Sequence, residues 1–77
     1  MARVRFFAAA AERAGTTEQH RSESTLGELR TTLGREHPAL AAILPQCAVL
    51  VDGARVPDDA SIGADATIDI LPPFAGG

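Results

Sequence analysis

Residues 67–77 read Thr67-Ile68-Asp69-Ile70-Leu71-Pro72-Pro73-Phe74-Ala75-Gly76-Gly77: five alternating residues, two prolines, one aromatic, then small residues. The alternation predicts a strand with Ile68 and Ile70 on one face and Thr67, Asp69 and Leu71 on the other. Proline fixes φ and cannot donate to a sheet ladder, so Pro72-Pro73 ends that strand and is expected to aim the following residues into solvent. Gly76 and Gly77 have no Cβ and can lie extended in a slot too narrow for a side chain. The chemically distinct group beyond them is the α-carboxylate of Gly77. A frayed terminus is the ordinary alternative. Fraying, however, does not account for a rigid lead-in paired with Gly-Gly. The expected division is a folded domain over 1–71 and a flexible tail over 72–77.

Outward from this segment, Arg3 to Ala8 reads as a first strand, with Val4, Phe6 and Ala8 inward and Arg3, Arg5 and Phe7 outward. Ala9 to Ala14 is helix-forming sequence closed by Gly15. Thr17 to Glu23 is polar throughout and is expected, if a strand, at a sheet edge. Thr25-Leu26-Gly27-Glu28 matches a capping box, and Leu26, Leu29 and Leu33 recur at helical spacing, so the main helix begins there and ends before Pro38. Ala39 to Leu44 predicts a short apolar turn that plugs the core, closed by Pro45. Cys47 to Val51 predicts a strand, Asp52-Gly53 a tight turn, Ala54 to Val56 a short return strand, and Asp58 to Asp65 a loop. The order is α+β: one main helix across a mixed sheet.

The 77 residues, 45 % of them hydrophobic, make one small domain with a real core and no room for a deep cleft. Seven basic against ten acidic residues leave a net charge of −3, which disfavours phosphate-backbone binding. Phe6, Phe7 and Phe74 are the only aromatics, so no base-stacking platform exists either. Every basic residue is arginine, so no ε-amine could capture an activated C-terminus. The apolar stretch Phe6 to Ala11 is too short for a signal peptide and ends at Glu12-Arg13. No apolar run approaches a bilayer span, and a single cysteine excludes an internal disulfide. A cytoplasmic location is expected.

Val4-Arg5-Phe6-Phe7-Ala8, Thr25-Leu26-Gly27-Glu28-Leu29, Val51-Asp52-Gly53 and the Leu71 to Gly77 ending together resemble the MoaD/ThiS sulfur carriers, which are ubiquitin-like β-grasp proteins. The double proline looks closest to the small subunit of molybdopterin synthase. The resemblance implies that an E1-like enzyme adenylates Gly77 with Mg-ATP, and that sulfur from a persulfide donor replaces AMP to leave a thiocarboxylate. The large synthase subunit would then hold the pyranopterin acceptor. Related pathways would use the sulfur for thiazole or cysteine. A ubiquitin-like modifier joined to amines through Gly77, or a non-reactive interaction domain, are readings of another class.

On this reading Pro72, Pro73, Phe74, Ala75 and Gly76 thread the tail into a partner and the chain supplies no acid, base, metal ligand or bound cofactor. Phe7 and Leu71 fall on the outward face near their strand ends and are expected to form one apolar patch against partners. Arg55, where relatives can be apolar, is expected to adjust that contact. Phe74 either anchors at a channel mouth or folds back on its own domain. Cys47 reads as a small core residue. His20 and His37 lack the spacing of a metal site, and His37 is expected at the carbonyl end of its helix. Asp58 and Asp59 read as solvated turn carboxylates.

Overall fold

In the computed structural model, which describes residues 1–73, four strands make one mixed sheet. They are β1 (Ala2–Phe6), β2 (Glu18–Arg21), β3 (Ala48–Val51) and β4 (Thr67–Leu71). The sheet order is β2-β1-β4-β3, with β1 and β4 parallel and the flanking pairs antiparallel. Polar β2 lies at the edge, as its composition requires: its outer backbone groups meet water.

The helix α2 (Leu26–Glu36) starts at Thr25, whose side chain accepts the Glu28 N–H at 3.2 Å. Leu26, Leu29 and Leu33 are all buried and form the seam against the sheet. Each contributes about 1.5–3 kcal/mol of transfer free energy. Val4, Phe6, Val49, Ile68 and Ile70 meet them from the sheet. The helix stops two residues before Pro38, which opens the short α3 (Pro38–Ala41). Buried Leu40 and Leu44, from α3 and the following 3-10 turn, plug the end of the core, and Pro45 lies inside that turn.

Two expectations need correction. Ala8 is exposed: the chain leaves the sheet after Phe6, turns at Ala8 with φ 49°, and enters α1 (Ala9–Ala14). Alternation stops where the strand stops. Ala54 to Val56 forms no return strand, only a single bridge between Val51 and Ala54. The Asp52-Gly53 turn forms as expected, with φ of 50° and 84°. Beyond it the backbone is drawn away to α2: the Asp58 and Ala60 carbonyls accept the Gly27 and Leu26 N–H groups at 2.8 and 3.1 Å. Those donors have no partner inside the helix. Gly27 permits the approach, since a Cβ there would lie 3.2 Å from the Asp58 carbonyl oxygen and Cβ.

Candidate functional site

The tail departs from β4, where Ile68, Ile70 and Pro72 are buried and Leu71 and Pro73 face outward. β4 stops at Leu71, as the two prolines require; Pro72 continues the inward row of the strand and Pro73 is exposed. The lead-in is seated on the domain before the tail begins. Phe74, Ala75, Gly76 and Gly77 lie outside the described residues.

β1 places Phe7 beside this exit. Phe6 pairs with Ile70, and the Phe7 N–H donates to the Ile70 carbonyl at 3.1 Å, so Phe7 stands next to Leu71 on the outward face. Phe7 is 37 % exposed, enough to offer ring surface. The antiparallel neighbour adds Ala48 opposite Leu71 and Leu50 opposite Asp69, both half-buried. The apolar run Ala48–Val51 conceals this alternation in sequence. Pairing with Ile68 and Ile70 reveals it, by assigning Val49 and Val51 to the inner face. Arg55 is exposed and lies past the turn, on the far side of β3 from β4, so the fold does not bring it to Phe7 and Leu71.

Two ion pairs cross the same outer face. Arg5 grips Asp69 with a two-point fork, Nε to Oδ1 at 2.6 Å and Nη2 to Oδ2 at 2.8 Å. The Asp69 hydrogen bonds push the Arg5 guanidinium further up from its already high range. Arg3 pairs with Glu18 at 2.9 Å, and exposed His20 stands 4.0 Å from the other Glu18 oxygen.

The remaining candidates fall elsewhere. Cys47 is buried, its thiol donates to the Ile43 carbonyl at 3.3 Å, and burial pushes the thiol up despite the opposing charge of Arg30. A buried thiol raised in this way packs rather than reacts. The backbone of His37 does close α2, through its N–H to Leu33, but the ring turns to Gln19, whose amide donates to Nε2 at 3.1 Å. Asp58 is paired with Arg30 at 2.9 Å rather than simply solvated, while Asp59 is exposed. Among the described residues no cluster of three or more metal-ligating side chains occurs, and no helix is long and apolar enough to cross a membrane.

A family model described as ThiS family matches residues 4–77, including the Gly-Gly end. Comparison with curated proteins gave no match. Among solved structures, small archaeal modifier protein 1 from Methanosarcina acetivorans superposes with a TM-score of 0.87 at 23 % identity, over 99 % of this chain and 95 % of that one. The putative molybdopterin converting factor subunit 1 from Pyrococcus furiosus gives 0.86 at 17 % identity, over 95 % and 97 %. The complex of subunits 1 and 2 of molybdopterin-converting factor from Helicobacter pylori gives 0.75 at 26 % identity, over 99 % and 97 %. The first two likenesses establish the ubiquitin-like β-grasp fold.

Proposed function

The chain belongs to the ThiS family, and on that premise we propose that it carries sulfur on Gly77 as the small subunit of a molybdopterin synthase. A carboxylate is a poor electrophile, because its charge repels nucleophiles and oxide leaves badly. An E1-like enzyme with Mg-ATP removes both obstacles: a Gly77 carboxylate oxygen attacks the α-phosphorus, pyrophosphate leaves, and an acyl-adenylate forms. The terminal sulfur of a persulfide donor then attacks the acyl carbon and AMP departs. A thiol cleaves the resulting S–S bond, is itself oxidised to a disulfide, and releases the thiocarboxylate. In the large synthase subunit that sulfur passes to the pterin precursor.

The chain's own part is reach and presentation. Gly77 bears the transferable atom, Gly76 and Ala75 give clearance, and Pro72-Pro73 lowers the entropy lost on threading. Phe74 anchors at the channel mouth, and the Phe7/Leu71 face seats the partner. The observation that carries the reading is the family match running through Gly77, since that match spans both the fold and the tail. The molybdopterin branch is supported by the Helicobacter pylori likeness at 26 % identity.

Intact mass with C-terminal fragmentation, after incubation with Mg-ATP, an adenylating enzyme and a persulfide donor, tests it. Replacement of one oxygen by sulfur at Gly77 is the expected result. Isopeptide adducts through Gly77 would instead make the chain a protein modifier. An unaltered carboxylate beside a control carrier that reacts would overturn the carrier reading.

A further inference from the structure

Arg5 and Phe7 lie on the outward face of the sheet, on either side of buried Phe6. The Arg5 guanidinium carbon is 5.5 Å from the centroid of the Phe7 ring. A guanidinium held by both carboxylate oxygens of Asp69, at 2.6 and 2.8 Å, has its plane set by the fork. The Asp69 side chain is only 17 % exposed, so β4 supplies a firm mount. β1 ends at Phe6 and the chain turns away just after Phe7, which has Arg5 two residues back on the same face and, by the register of Phe6 with Ile70, Leu71 across.

We propose that Asp69 and Arg5 are positioning residues that hold Phe7 as a docking anchor for the enzyme that takes up the tail, whose surface there is an uncharged apolar socket. This rests on the reading of Gly77 as the reactive end. The four residues beyond Pro73 span at most about 14 Å. An enzyme that receives Gly77 must therefore rest against the end of the sheet that bears Leu71 and Phe7. The charges on that face are matched within the chain, Arg3 with Glu18 and Arg5 with Asp69, so the enzyme need not supply counter-charges. An orientated aromatic beside aliphatic residues is the kind of anchor that dominates interfaces.

A double-mutant cycle tests the claim, with binding to the large synthase subunit and to the adenylating enzyme of the same organism read by calorimetry. Phe7→Ala is expected to weaken binding about tenfold. Asp69→Ala is expected to weaken it about two- to fivefold when Phe7 is present, and to change it little in the Phe7→Ala background. Equal losses in both backgrounds, or no loss in either, would overturn the positioning role and leave the docking face intact. If Phe7→Ala binds like the parent, or the parent binds neither protein, the docking reading falls and this proposal with it. Arg5→Met serves as a second variant should Asp69→Ala fold poorly. In the free protein, either variant should shift the Phe7 ring-proton resonances, and unchanged resonances would contradict the positioning role directly.

Discussion

The proposed function puts the chemistry on Gly77, four residues past Pro73, the last residue described. Deleting it should abolish sulfur loading while leaving the thermal midpoint unchanged, checked by mass spectrometry and calorimetry on the same sample. Gly53 is the opposite case. Its φ of 84° is a conformation that a β-branched side chain resists, so Gly53→Val should lower unfolding free energy by about 1–2 kcal/mol in urea titration without touching the tail. Residue chemistry made several roles legible: Cys47 as a core residue, Leu71 as outward-facing, Asp52-Gly53 as a turn. It failed at Ala8 and the His37 ring. In both, a neighbouring element decides where the side chain goes: the turn into α1, and Gln19 on β2.

Among the elements, α2 carries most of the packing. Leu29 is buried on its sheet-facing side, and Leu29→Ala should cost about 2–5 kcal/mol, read as a lower urea midpoint at constant slope. The carboxyl end of α2 is tied to the edge strand by Arg21, which donates to Glu23 at 2.6 Å and to Glu36 at 2.7 Å. Arg21 holds both carboxyls below the usual range. A carboxylate with a lowered folded value contributes stability above its unfolded value and loses it as pH falls through the folded one. Stability should therefore decline from about pH 5 downward, and Arg21→Gln should flatten that acid limb in chemical denaturation at stepped pH. The polarity of β2 announced an edge. The clamp to α2 was not legible, since its partners stand 15 residues apart in sequence. The missing return strand failed similarly: the tight turn at Asp52-Gly53 favours it, while the N–H groups at the start of α2 draw its continuation away.

Taken whole, the molecule presents a sheet face whose charges are paired within the chain, beside the end of β4 from which the proposed carrier tail departs. A synthetic peptide of residues 67–77 should be loaded with sulfur far less efficiently than the intact chain at equal concentration, a difference measurable by mass spectrometry over a time course. Equal loading would mean that the domain contributes no docking. By itself the sequence determined the periods and the stops: where strands and helices begin, which residues seek the core, and that two prolines end the last strand ahead of a run of small residues. Those are local consequences of side-chain shape and backbone freedom. Only the tertiary structure decided that Asp69 grips Arg5 and that Arg55 lies past the turn on the far side of β3. Register between β1 and β4 joins residues more than sixty positions apart. No local propensity encodes such a pairing, because it follows from burying both inner faces against one helix.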